Sequence, residues 1–217
     1  MLKVQFHNSG TPLRRILCLG AHCDDIEIGC GGTILRLIRE FPELEFYWVV
    51  FSSSPPRKRE ALEAARMFLE NVNRSRVQVR SFRDSYFPYE GKAIKEFFES
   101  IRTKFQPDLI FTHYRRDLHQ DHRLISELTW NAFRDHLILE YEIPKYDGDL
   151  GSPNLFVGLD ETLCKAKIHH ILSSFRSQAG KQWFSEDTFR ALLRIRGIES
   201  NAEGRYAEGF YCRKAFV

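Results

Sequence analysis

A chain of 217 residues, 43% apolar and 28% charged, can bury one substantial core and has the composition of an ordinary globular protein. Its formal charge of +3 is small, and basic residues are interleaved with acids as in Arg57-Lys58-Arg59-Glu60, which argues against nucleic acid as a partner. No apolar run approaches the roughly 20 residues that span a bilayer, and the N-terminal residues lack the apolar stretch of a signal peptide; one cytoplasmic domain over residues 1–217 is expected.

The predicted elements alternate along the chain. Residues 15–21 read as a buried strand, and a helix is expected over 31–40, with Ile34, Leu35 and Ile38 facing inward. A strand over 44–51 and the Ser52-Ser53-Ser54-Pro55-Pro56 loop lead to a helix over 57–70. Residues 77–82 alternate like a strand, 83–90 form a loop, and a helix over 92–104 stops before Pro107. A strand over 108–113 runs into a polar loop at 114–121, which opens a helix through 136. Strands are expected at 137–143 and 155–159, separated by a Pro-, Gly- and Asp-rich loop or lid at 144–154. Helices over 161–175 and 185–195 follow, and 197–217 shows no regular pattern. This alternation predicts an α/β fold with a mostly parallel sheet covered by helices on both faces.

Two clusters of polar residues stand at predicted strand ends, where ligands bind in open α/β sheets. The first is Ala21-His22-Cys23-Asp24-Asp25-Ile26-Glu27-Ile28-Gly29-Cys30-Gly31-Gly32-Thr33. A histidine and two adjacent carboxylates on a tight loop are costly to gather unless a cation offsets their charge. His22 and Asp25 are spaced to converge on one ion, while Asp24 points elsewhere and is free for another role. A helix N-cap would account for one aspartate but not for all three groups.

Gly29, Gly31 and Gly32 do not fit the dinucleotide pattern G-x-G-x-x-G, because Ile34 stands where the third glycine belongs, and no P-loop Lys-Ser/Thr pair is present. They are read as letting the helix backbone come close to the sheet. The five cysteines (Cys18, Cys23, Cys30, Cys164 and Cys212) form no C-x-x-C pair and suggest neither a disulfide framework nor a zinc knuckle.

The second cluster is Asp117-Leu118-His119-Gln120-Asp121-His122-Arg123. If the strand before it is central, both loops open on one crevice. A mononuclear hydrolytic site needs three protein ligands, a position for water, a base, and an acid or electrophile. His22, Asp25 and one histidine of the second loop supply the ligands; the other histidine and Asp24 supply the chemistry. His7, His113, His136, His169 and His170 lack such partners and are read as structural.

These residues resemble the PIG-L/LmbE-like N-deacetylases. The first cluster is similar to that family's AHPDDE-type signature, 117–123 to its H-x-x-[DE]-H motif, and 57–69 to its R-x-x-E helix. Phe82-Arg83-Asp84 resembles its strand-end aspartate and Tyr206-Ala207-Glu208-Gly209-Phe210 its late Y-A-E-A-F segment. Cys23 stands in place of the usual proline, and Ile26-Glu27 matches branches that carry Ile or Val before Glu.

The resemblance implies a Rossmann-like fold and a divalent metal, usually Zn²⁺ with Fe²⁺ as the alternative, on His22, Asp25 and His122. It implies Asp24 as general base, His119 as oxyanion stabiliser or acid, and Asp121 as the partner that orients His119. The implied substrate is a small molecule or glycoconjugate carrying an N-acetylglucosamine-type group. Arg57 and Asp84 are expected at its rim, with Tyr86, Phe87 and Tyr89 available to stack on a sugar. Glu208 is given no role, and the oligomeric state, a homo-oligomer included, stays open. Two other readings remain at this point: a non-haem Fe(II) oxygenase, which shares a two-histidine, one-carboxylate ligand set, and a sugar- or nucleotide-binding protein without catalysis.

Overall fold

A computed structural model describes residues 7–8 and 11–216. After a short antiparallel pairing of His7–Asn8 with Thr11–Pro12, strands and helices alternate. The first half holds β1 (Arg15–Gly20), α1 (Asp25–Glu40), β2 (Glu45–Val50), α2 (Pro55–Phe68), β3 (Arg74–Val79) and α3 (Gly91–Lys104). The second holds β4 (Leu109–His113), α4 (Gln120–Ala132), β5 (Leu137–Tyr141), β6 (Leu155–Leu159), α5 (Glu161–Ser174), α6 (Glu186–Glu199) and β7 (Tyr206–Cys212).

The seven strands form one sheet in the order β3-β2-β1-β4-β5-β7-β6. Strands β1 to β5 pair in parallel, and β7 lies antiparallel between β5 and β6. The expected Rossmann-like, mostly parallel α/β architecture is present. Strands β1, β2 and β4 are nearly continuous apolar runs because both of their faces are covered. Ile16 and Cys18 of β1 face the core shared with α1, α2 and α5, whereas Leu17 and Leu19 face the one shared with α3 and α4. Among the described residues no helix is long and apolar enough to cross a membrane.

Several boundaries differ from expectation. Helix α1 starts at Asp25 rather than at residue 31, so the glycines lie inside it. A Cβ on Gly29 would sit 2.1 Å from the Tyr141 ring, and one on Gly32 would sit 2.4 Å from Leu159. The missing side chains therefore let α1 lie directly on β5 and β6, which bears out the reading of close approach. Strand β3 begins at Arg74, ahead of the predicted 77, and its first half is exposed at the sheet edge, where apolar alternation is not required.

Helix α4 ends at Ala132 rather than at 136. The C-terminal segment expected to be irregular contributes β7. Its pattern was masked by Glu208, a carboxylate buried in the strand interior.

Candidate metal centre

Strands β1 and β4 are neighbours, and the chain builds the sheet outward from them in opposite directions. The loops at their carboxyl ends therefore open on one crevice, at the point where strand order reverses. The Ala21 N–H donates to His113 Nε2 at 2.9 Å and ties the two strand ends together.

Across this crevice the first and second sequence clusters meet. His22 Nδ1 lies 3.1 Å from His122 Nε2, and Asp25 Oδ2 lies 3.4 Å from the former and 3.6 Å from the latter. Donors bound at 2.0–2.1 Å to a tetrahedral zinc stand about 3.3–3.4 Å apart. The three atoms are thus close enough together that they would be able to hold one such ion. His119 joins His22 and His122 in a second grouping of convergent donors.

The partners on the far side of each ring assign its free nitrogen. His122 Nδ1 lies 2.9 Å from Asp117 Oδ2, so that nitrogen carries the proton and Nε2 offers its lone pair to the cluster. His22 Nε2 lies 3.2 Å from Asp84 Oδ1 and 3.4 Å from Asp121 Oδ2, which leaves Nδ1 facing Asp25 and His122. Asp25 Oδ2 is held by the His22 N–H at 2.6 Å.

Burial alone would raise the Asp25 carboxyl, but the imidazoles of His122 and His113 draw it well below the usual carboxylate value. Burial, with the His113 imidazole beside it, lowers His122 to about 4. For His22 the lowering by burial is outweighed by hydrogen bonds to Asp121, Asp25 and Asp84, and its pKa is raised well above the ordinary one.

Asp24 precedes the first turn of α1 yet makes no side-chain cap. Its carboxylate instead meets Arg57 Nη2 at 3.0 Å. Burial raises its pKa, with Arg57 opposing. A buried carboxylate with raised basicity, beside a candidate ligand set and not spent on capping, suits a general base. Glu27 is also fully buried, and burial pushes its carboxyl well above the ordinary value; neither of its oxygens has a hydrogen-bond partner.

His119 is the N-cap of α4, and its Nδ1 accepts from the Asp121 N–H at 3.2 Å. That contact puts the ring proton of the neutral form on Nε2, the end free to donate to a ligand. Asp121 therefore touches His119 through its backbone rather than its carboxylate. The carboxylate accepts from Ser85 N at 2.7 Å and Phe87 N at 3.2 Å, and so fixes the 83–90 loop over the site.

Arg57 and Asp84, expected at a substrate rim, contact Asp24 and His22 respectively. Phe87 is fully buried and packs against His22 with ring centroids 6.0 Å apart, whereas Tyr86 and Tyr89 are exposed. Cys23 is buried, and its thiol donates to Ser52 O.

The expectation that His113 lacks partners does not hold. His113 is fully buried, stacks on His122 with centroids 3.9 Å apart, and places Nε2 3.2 Å from Asp25 Oδ2. Its place as the last residue of β4, one strand from His22, was the available signal. Glu208, left without a role, accepts from Gly32 N at 2.8 Å and Thr33 N at 2.6 Å and pairs with Lys167 at 2.6 Å.

The same architecture occurs in solved proteins of low sequence identity. The conserved protein TT1542 from Thermus thermophilus superposes with a TM-score of 0.73 at 20% identity, over 93% of this chain and 96% of its own. The N,N'-diacetylchitobiose deacetylase from Pyrococcus horikoshii gives 0.70 at 22%, covering 91% and 83%. The 4-carboxy-2-hydroxymuconate hydratase GalB from Pseudomonas putida gives 0.75 at 16%, covering 94% and 98%. In sequence, residues 17–133 match PIG-L, described as GlcNAc-PI de-N-acetylase, a match that takes in both polar clusters and more than half of the chain. The chain belongs to the PIG-L family.

Proposed function

We propose that this protein is a metal-dependent N-deacetylase that hydrolyses the acetamide of an N-acetylglucosamine-type sugar or glycoconjugate, giving acetate and a free amine. The observation that carries the reading is the spacing of His22 Nδ1, Asp25 Oδ2 and His122 Nε2, with Asp24, whose side chain makes no cap hydrogen bond, beside them. Those three residues would hold the ion, most simply Zn²⁺. When bound there, such an ion lowers the pKa of water from 15.7 towards about 7 and polarises the amide carbonyl.

The rest of the chemistry belongs to the side chains. Asp24 accepts the proton released as water attacks the carbonyl carbon, and Arg57 keeps its carboxylate aimed while limiting its basicity. His119 Nε2–H donates to the carbonyl oxygen as negative charge develops there, an interaction worth about 3–4 kcal/mol when preorganised. The C–N bond then breaks, and the proton taken up by Asp24 is returned to the nitrogen. Asp121 supports both halves, holding His119 through its N–H and the 83–90 loop through its carboxylate. Exposed Tyr86 and Tyr89 on that loop offer ring faces to a sugar.

The test is acetate release from a panel of N-acetylated sugars, lipid-linked sugars and sugar nucleotides, coupled to metal analysis of the protein. Chelation should abolish release and added Zn²⁺ should restore it. A metal-loaded protein that liberates no acetate from any member would end the proposal. Because the fold also occurs in a hydratase, water addition to an unsaturated acid is the useful counter-assay.

A further inference from the structure

The segment 144–154, expected as a loop or lid, is fastened along its length. Asn154 exchanges hydrogen bonds with Cys212, and Gly151 O accepts from Arg196, itself held in a buried bidentate pair with Glu142. Asp149 Oδ2 accepts from the Leu118 N–H at 2.7 Å. Lys145 Nζ lies 2.9 Å from Asp117 Oδ2 and 2.5 and 2.6 Å from the two oxygens of Asp149. The segment is a strap over the second motif.

Asp117 is where the strap meets the chemistry. It is 1% exposed. One oxygen accepts from the His119 N–H at 2.8 Å, and the other serves both His122 Nδ1 at 2.9 Å and Lys145. A single carboxylate thus sets the backbone of one motif histidine and the ring of the other. A buried anion of this kind needs a fixed cation, and among the described residues the Lys145 ammonium is the lysine or arginine group that pairs with it. Lys145 is itself held by Asp149, so the ammonium cannot swing away without breaking the strap's other anchor.

We propose that Lys145 is a positioning residue of the metal centre: it fixes Asp117, which fixes His122 with its Nε2 toward His22 and Asp25. This rests on the metal reading above. The strap is then part of the outer coordination sphere rather than a lid. Removing Lys145 leaves the Asp117 carboxylate held by the His119 N–H and His122 Nδ1 without its buried counter-charge, so the direction of the His122 ligand nitrogen is less firmly fixed.

The experiment is a competition titration of the metal-free protein with Zn²⁺ against a chromogenic chelator, on wild type, Lys145→Met, Lys145→Arg, Asp117→Asn and the Lys145→Met/Asp117→Asn double variant. Loss of an outer-sphere partner typically weakens metal affinity by 10–100-fold. Lys145→Met is expected to weaken zinc binding about tenfold, Lys145→Arg to stay within about threefold of wild type, and Asp117→Asn to fall further than either. The double variant should bind no more weakly than Asp117→Asn alone, since both changes act through one carboxylate. Should Lys145→Met fail to fold, Asp149→Asn reads the same anchor, with a loss of a few-fold that vanishes in the Asp117→Asn background. Normal zinc affinity in Lys145→Met, or losses that multiply in the double variant, would overturn the positioning role. A wild-type protein that binds no zinc would instead overturn the metal reading, and this inference with it.

Discussion

Asp25 and Glu208 both bring a buried carboxylate to α1, one at its first turn and one at its middle. Around Glu208 the bonding is closed: its oxygens take two helix N–H groups and the Lys167 ammonium, and Lys167 also donates to Ile28 O. Around Asp25 Oδ2, which accepts from the His22 backbone N–H at 2.6 Å, the imidazole nitrogens converge more loosely. His22, His113 and His122 all aim nitrogens at one oxygen from 3.2 to 3.6 Å, longer than charge-assisted hydrogen bonds usually run. A structural polar cluster satisfies its members with one another at short distance; the looser convergence at Asp25 Oδ2 is what the proposed metal reading expects of donors that would share an ion.

The sharpest break of that contrast is removal of a proposed ligand. Asp25→Ala or His122→Ala should abolish zinc binding and turnover together while leaving a folded protein, as read by metal analysis and circular dichroism. Asp24→Asn comes next. It should keep zinc at wild-type affinity and lose 10²–10⁴ in kcat, the usual range for a general base. A variant that loses metal as well would place Asp24 among the ligands instead.

On the closed side the effect should be on stability. Lys167→Met leaves Glu208 buried without its cation, a change that commonly costs about 3–5 kcal/mol. For a chain of this length that is a fall in melting temperature on the order of 10 °C. Lys167→Met/Glu208→Leu should recover part of the loss, since the pair is then replaced rather than broken. Zinc affinity of the folded fraction should not move in either. A change there would mean that the mid-helix pair also sets the first turn of α1.

How much of this was legible in the sequence follows the same division. The apolar runs of β1, β2 and β4 announce central parallel strands, and the meeting of His22 and Asp25 with a histidine of the second cluster is readable from strand-end position and residue type, whereas the choice of His122 over His119 comes from the family resemblance. Strand β7 was not readable, because its central Glu208 looks solvated until Lys167, far away in the chain, is seen beside it. Similarly, His113 reads as a lone strand residue until Asp25 and His122 are set against it. Helix α1 starts ahead of the point the sequence suggests because its glycines resemble loop residues, and Tyr141 and Leu159 explain them. In each case the missing information was a partner distant in sequence.

The smallest expected effect concerns Asp84, which sequence position alone placed at the substrate rim and the fold sets 3.2 Å from His22 Nε2. His22 has its pKa raised well above the ordinary one. A raised imidazole stabilises the metal-free fold fully below its unfolded pKa of about 6.5, and that contribution is lost as pH rises through the folded value. The melting temperature of the metal-free protein should therefore fall above about pH 6.5, while zinc binding, which needs the Nδ1 lone pair, strengthens over the same interval. The Asp84 carboxyl is lowered to about 2, chiefly by its hydrogen bond to His22. Its own contribution is present above about pH 3.9 and lost on acidification through 2, well clear of that window. Asp84→Asn removes one of the carboxylates that raise His22, but the side chain is largely exposed and Asp121 and Asp25 remain, so solvent screening keeps the effect small. Both pH curves should move to lower pH by under about one unit, with zinc affinity near neutrality changed only a few-fold. Curves that superpose on wild type, together with a raised KM for the substrate, would return Asp84 to the rim and leave Asp121 as the carboxylate partner of His22 Nε2.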